Sequence, residues 1–123
     1  MTEASYRYIV PARQANVLVV AITEPTLRDA TTCYGLRDEI ISAIDAASVD
    51  MLVLDLTAVE FIGSIGFLAF LSARRHLGAK VILCGMPENV HDMFRVCGLT
   101  SRDSGKQAPF AVAESVEAAL ACG

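Results

Sequence analysis

The chain has 123 residues, enough for one domain that buries its own hydrophobic core, and we expect a single domain over residues 1–123 with its core at about 16–121. The 10 basic and 14 acidic residues give a net charge of −4, and no basic run exceeds Arg74-Arg75. This distribution argues against direct binding of nucleic acid, which requires a basic stripe.

Apolar residues are abundant, at 54% of the chain, but they do not predict a membrane span. The longest uninterrupted apolar run covers residues 17–22, whereas a helix needs about 20 residues to cross a bilayer. The first residues, 'MTEASYRYIV', lack the pattern of a secretory signal, so we expect a cytoplasmic protein. The four cysteines form no C-x-x-C pair and predict buried or incidental thiols, with no metal site, disulfide frame or cofactor.

The first half of the chain predicts two strands around a helix. Residues 16–22 are β-branched and apolar between Pro11 and Pro25, which indicates a central strand, with residues 6–10 as an edge strand beside it. Apolar residues at helical spacing predict a helix over about 30–46. Residues 51–56, 'MLVLDL', indicate a strand that is buried on both faces of a sheet.

The second half continues the alternation. It predicts a helix over 64–77 that ends at Gly78, followed by a strand over 80–84. The next helix has Pro87 in its first turn and ends at Gly98. A polar loop at 101–107, a short strand and a last helix capped by Ser115 complete the chain. Alternating strands and helices predict an α/β fold with a mainly parallel sheet of four to five strands and about four helices. Loops that follow the strands of such a sheet carry function.

The segment 'FIGSIGF' places Ser64 in such a loop, where three roles are open to this serine. A nucleophile is disfavoured because the elbow motif needs a glycine at position 62, which is Ile62, and because His76 lies more than three turns along the same helix. A helix N-cap is expected, since serine is preferred there. A phosphorylation site is compatible with a cap, because the helix N-terminus partly offsets the added charge. We therefore expect no catalytic residue and no enzyme activity.

The helix that follows Ser64 is apolar almost all round. One face, from Gly66 to Leu77, can pack on the sheet, while Leu68 and Leu71 fall near the azimuth of Ser64 and Arg75. Such a helix is either fully buried or partly docked on another protein. A phosphate at the head of an apolar stripe would oppose docking, which predicts a phosphorylation-controlled interaction.

These residues carry a resemblance to a known family. The sequence resembles the STAS domain, named for sulfate transporters and anti-sigma-factor antagonists, from about residue 16 onward and most strongly over 53–99. The resemblance implies a sheet backed by four helices and a phospho-acceptor at Ser64. It also implies an anti-sigma factor of the serine-kinase type as the partner, and a phosphatase that reverses the modification.

The helical stripe and the resemblance together predict a partner-binding surface at Asp29, Gly63, Ser64, Ile65, Leu68, Leu71 and Arg75. Stand-alone members of the family read Asp-Ser-(Ser/Thr)-Gly in this loop, whereas Gly63 and Ile65 flank Ser64 here. Two functions therefore stand open. One is an anti-sigma-factor antagonist switched at Ser64, and the other is a constitutive STAS subunit of a signalling scaffold or lipid-transport complex, which Gly63 and Ile65 favour.

Overall fold

The computed structural model describes residues 6–100 and 108–122, so the polar loop predicted at 101–107 lies outside the described residues. The strands, in chain order, are β1 Ile9–Gln14, β2 Val17–Ile22, β3 Thr26–Leu27, β4 Met51–Asp55, β5 Phe61–Ile62, β6 Lys80–Cys84 and β7 Ala111–Ala113. The helices are α1 Ala30–Ala47, α2 Ser64–Leu77, α3 Glu88–Val96 and α4 Val116–Cys122.

Five of the strands form one sheet in the order β1-β2-β4-β6-β7. Strand β1 is antiparallel to β2, and every other pair in this sheet is parallel. The remaining strands, β3 and β5, form a separate two-stranded parallel sheet. The prediction of a mainly parallel α/β fold with four helices is confirmed.

The two faces of the large sheet pack against different helices. On one face, alternate residues of the central strands join a core cluster with Leu36 and Ile40 of α1, Phe70 of α2 and Phe94 of α3. On the other face, Val53 and its neighbours pack against α4. Burial on both faces explains why β4 and β6 are apolar without alternation.

Aromatic packing fixes α3 against the rest of the core. The ring of Phe94 meets the edge of Phe67 with centroids 4.8 Å apart, and it lies 6.2 Å from Phe70 and 6.0 Å from Phe110. Such pairs stabilise by about 0.5–1.5 kcal/mol beyond the apolar area they bury. The third helix is thereby held close to the start of α2.

The edge strand differs from its predicted position at residues 6–10. Strand β1 runs instead from Ile9 to Gln14 and includes Pro11, which pairs with Val20. Proline is tolerated here because an edge strand leaves half of its N–H groups unpaired. The hairpin turn lies at Ala15, whose φ of 53° is left-handed, so Pro11 does not end the strand.

Three predicted helix ends, at Gly78, Gly98 and Ser115, agree with the structure. Gly78 and Gly98 are left-handed residues that follow α2 and α3, with φ of 70° and 75°. Ser115 Oγ accepts a hydrogen bond from the N–H of Ala118 at 3.1 Å and so caps α4. Pro87, expected inside the first turn of α3, is instead the N-cap residue that precedes it. Within the described part of the chain, no helix is both long and apolar enough to span a membrane.

Candidate functional site

The small sheet of β3 and β5 brings together the loops that precede α1 and α2. The N–H of Gly63 donates to the carbonyl oxygen of Leu27 at 2.8 Å, and the N–H groups of Glu60 and Phe61 donate to the carbonyl oxygen of Pro25 at 2.7 and 3.1 Å. Asp29 follows β3 by two residues, and Ser64 follows β5 by two residues. Two of the predicted site residues are thus carried by adjacent, hydrogen-bonded loops.

Ser64 is the first residue of α2 and is exposed to solvent. The prediction that it caps this helix is wrong, because Gly63 is the N-cap residue and no side-chain oxygen caps the helix. The carbonyl of Gly63 accepts hydrogen bonds from the N–H groups of Gly66 at 3.0 Å and Phe67 at 3.2 Å, as expected of an N-cap residue. The hydroxyl of Ser64 is therefore not used to hold its own helix in place.

Gly66 lets the start of α2 lie close to the small sheet. A Cβ at this position would lie 2.7 Å from Cγ1 of Ile62 and 3.1 Å from the carbonyl oxygen of Leu27. Gly63 is different, because a Cβ there would meet its nearest neighbour, the same carbonyl oxygen, at an ordinary 3.7 Å. Gly66 is therefore required for packing, whereas Gly63 leaves space for a side chain.

Asp29 is exposed and caps α1. Its carboxylate accepts a hydrogen bond from the N–H of Thr32 at 2.9 Å, and this bond is the main reason that the pKa of Asp29 lies below its usual 3.8. A helix N-terminus also favours a negative charge. The residue therefore contributes a fixed carboxylate beside the Ser64 loop.

The remaining predicted residues do not share one exposed face. Leu68 is 58% exposed and Arg75 is exposed, whereas Ile65 and Leu71 are half-buried and pack against the main core. Leu71 is less exposed than the predicted stripe requires, because its side chain is half-buried and packs against the main core. Leu68 is the apolar side chain that the first turns of α2 leave open to solvent.

A groove beside Ser64 was missed at the sequence level. It has a volume of about 390 Å³ and runs between the start of α2 and α3. Its lining residues are Phe61, Ile62, Gly63, Ser64, Phe67, Asp92, Met93, Val96 and Cys97. Val96 is 86% exposed and Phe61 is 39% exposed. Val96 was the one residue whose sequence position could have indicated the groove, because it is apolar but falls outside the buried stripe of α3.

The two histidines lie on different helices, α2 and α3. His76 is near the opposite end of α2, where its Nε2 lies 2.7 Å from a carboxylate oxygen of Asp45. His91 is half-buried on α3, and burial is the main cause of the lowering of its pKa. Over residues 6–100 and 108–122, no group of three His, Cys, Asp or Glu side chains is placed to hold a metal ion. The groove beside Ser64 combines its hydroxyl with mostly apolar lining residues.

This architecture is a mainly parallel α/β domain in which an exposed serine begins the second helix. A family model described as the STAS domain matches residues 8–119, and the chain belongs to this family.

Solved structures of anti-sigma-factor antagonists share the fold. An anti-sigma-factor antagonist (STAS) domain protein from Planctomyces limnophilus has a TM-score of 0.74 at 19% identity, over 93% of this chain and 95% of that one. An anti-sigma factor antagonist from Mycobacterium paratuberculosis has a TM-score of 0.73 at 25% identity, over 93% and 91%. The phosphorylated form of SpoIIAA, a cell fate determinant of Bacillus, has a TM-score of 0.63 at 20% identity, over 94% and 99%. No curated protein matches the sequence.

Proposed function

We propose that this protein is a non-catalytic regulatory module of the cytoplasm that acts as an anti-sigma-factor antagonist. It binds a partner protein, an anti-sigma factor of the serine-kinase type, through the surface around Ser64. The observation that carries the proposal is the exposed Ser64 at the first position of α2, next to the exposed Leu68 and the groove. Exposed apolar side chains grouped around a polar residue are typical of protein-binding surfaces.

Phosphorylation of Ser64 would change this surface without unfolding the domain. A phosphate adds about −1.5 to −2 charges, and the first N–H groups of a helix have no partner within the helix, so they favour an anion. The side chain of Ser64 makes no capping bond that the modification would break. Asp29 already places a negative charge in the neighbouring loop, and the phosphate would add to it.

The added charge is expected to release the partner. An interface that covers Leu68 and the groove would have to remove water from the phosphate, and a charge buried without a matching partner is strongly unfavourable. The unmodified serine carries no such cost. A phosphatase that removes the phosphate would restore binding.

A second candidate function is a constitutive assembly subunit of a signalling scaffold or lipid-transport complex. The observation that favours it is the pair of residues around the serine. Gly63 supplies no carboxylate to orient the hydroxyl or to help hold a kinase's metal-bound nucleotide, and the half-buried Ile65 supplies no second hydroxyl. In this case the same surface binds a partner and Ser64 is not modified.

Two measurements test the proposal. The protein is incubated with ATP and serine-kinase-type anti-sigma factors encoded beside its gene, and mass spectrometry locates any phosphate. A phosphate on Ser64 supports the switch, whereas binding without modification supports the assembly subunit. Absence of both binding and modification contradicts the anti-sigma-factor antagonist and favours an assembly subunit with a different partner.

The second measurement compares charge variants. Ser64→Asp is expected to weaken partner binding by at least about tenfold, or ~1.4 kcal/mol, with unchanged thermal stability. Ser42→Asp is the matched control, because Ser42 is an exposed serine on α1 and receives the same charge change. If Ser64→Asp binds as tightly as Ser42→Asp, phosphorylation control is excluded.

A further inference from the structure

A cavity lies at the end of α2 that is remote from Ser64. Helix α2 has 14 residues, so its two ends are separated by about 20 Å at 1.5 Å per residue. The cavity has a volume of about 500 Å³ and is bounded by the last turn of α2, the start of β6 and the segment that enters β7. Its lining residues are Arg74, Arg75, Gly78, Ala79, Lys80, Val81, Ala108, Pro109 and Ala111.

The charge of this cavity is opposite to that of the protein. The chain has a net charge of −4, yet three of its 10 basic residues, Arg74, Arg75 and Lys80, line the cavity. No carboxylate is among the lining residues of the described part of the chain. Three cations around one concavity repel each other, and a bound anion relieves that repulsion.

Helix stabilisation explains only part of this arrangement. Basic residues in the last turn of a helix interact favourably with its dipole, which accounts for Arg74 and Arg75. It does not account for Lys80, which begins β6 after the helix has ended. Nor does it account for the hydrogen bond from Nε of Arg74 to the carbonyl oxygen of Pro109 at 2.7 Å, which holds this guanidinium at the wall of the cavity.

We propose that this cavity binds a small soluble anion that carries phosphate groups. Guanidinium groups match the geometry of phosphate oxygens, and an ammonium group adds a point charge. Val81, Ala108 and Ala111 supply apolar wall for an uncharged part of the ligand. The volume lies within the range of about 300–1,000 Å³ that small-molecule sites have. This site goes beyond the proposed function, because it shares no residue with the groove beside Ser64.

Calorimetric titration with inorganic pyrophosphate at about 50 mM salt tests the site. The wild-type protein is expected to bind with a saturable Kd of about 1 mM or tighter. The double variant Arg75→Gln, Lys80→Gln should bind at least about tenfold more weakly. Arg74 is retained because of its bond to Pro109. The matched control, Arg13→Gln with Arg37→Gln, removes two charges on β1 and α1 and should bind like wild type.

The outcomes separate this site from other anion binding. Pyrophosphate should shift the amide NMR signals of Gly78, Ala79 and Ala111, and the Ser64→Asp variant should bind pyrophosphate like wild type. The proposal is overturned if wild type shows no saturation, if the control loses as much affinity as the test variant, or if the shifts centre on Ser64. Sedimentation with phosphatidylglycerol vesicles tests a lipid headgroup as the source of phosphate. Binding to vesicles without binding to pyrophosphate also overturns a soluble ligand.

Discussion

The N–H of Gly63 donates to the carbonyl oxygen of Leu27 at 2.8 Å, and this bond connects the two loops from which α1 and α2 begin. The register of the small sheet pairs Thr26 with Phe61 and Leu27 with Ile62. The residues that follow these strands remain close, since a Cβ on Gly63 would lie 3.8 Å from Cα of Arg28, so the loops before α1 and α2 are adjacent. The position of Ser64 relative to Asp29 therefore depends on a sheet of four residues.

The first prediction concerns the packing that holds this surface. Gly66→Ala should lower the free energy of unfolding by about 1–3 kcal/mol, because the new Cβ would overlap Cγ1 of Ile62, a side chain that is only 2% exposed. In an open helix the same change would stabilise by about 1 kcal/mol. Urea denaturation measures the difference. Gly63→Ser is the control and should stay within about 0.5 kcal/mol of wild type, and equal stability of Gly66→Ala would contradict the close packing.

The second prediction separates helix capping from kinase recognition at residue 63. The backbone of Gly63, with φ of −102°, accepts any residue, and there is space for a Cβ. Gly63→Asp and Gly63→Asn should both stabilise the protein by a few tenths of a kcal/mol, because both side chains cap helices better than glycine.

Only Gly63→Asp supplies the carboxylate that the STAS loop has before its serine. If the protein is switched at Ser64, Gly63→Asp should be phosphorylated faster than wild type by its anti-sigma kinase, and Gly63→Asn should not. Initial rates from radiolabelled ATP provide the comparison. Equal acceleration by both variants would show that the helix cap, and not the charge, controls modification.

The fold was largely predictable because its main strands are apolar on both faces and its helices are periodic. Strands β2, β4 and β6 and helices α1 and α2 appear within about two residues of their predicted ends. Strands β3 and β5 were not predicted, since each has two residues and is too short to show a period. The position of β1 was missed because proline usually ends a strand, whereas an edge strand tolerates it.

The candidate site was predictable only in part. The place of Ser64 after a central strand follows from local sequence, and the structure puts it in an exposed loop-to-helix junction. The partial burial of Leu71 depends on the main core cluster, which is assembled from strands and helices distant in the chain. The groove requires α3 to lie beside the start of α2, and this placement is set by the tertiary packing of Phe94. The periodicity of a single helix predicts neither the partial burial of Leu71 nor the position of α3.

The third prediction uses two leucines of the same helix. Leu68→Ala should change the free energy of unfolding by no more than about 0.5 kcal/mol, because the side chain is 58% exposed. Under the proposed function it should weaken partner binding. Leu71→Ala should instead cost about 1–3 kcal/mol of stability, since Leu71 packs against the core. Chemical denaturation and a binding assay on both variants test the contrast. If Leu68→Ala binds the partner like wild type, the partner surface lies elsewhere.

The last prediction concerns the dependence of stability on pH. The pKa of Asp29 is lowered from 3.8, chiefly because the N–H of Thr32 donates a hydrogen bond to the carboxylate. A lowered pKa in the folded state means that folding favours the ionised form. The resulting stability is fully present above pH 3.8 and is lost as the pH falls through the lower, folded-state value.

Asp29→Asn isolates this charge effect, because the amide oxygen can still accept the capping bond but does not titrate. Wild type should be more stable than Asp29→Asn at neutral pH, and the difference should shrink at pH values below 3.8. Asp29→Ala is the control that also removes the acceptor, so it should be less stable than Asp29→Asn at every pH. Urea denaturation across this range gives the three curves. A constant difference between wild type and Asp29→Asn would show that the charge at Asp29 does not interact with the start of α1.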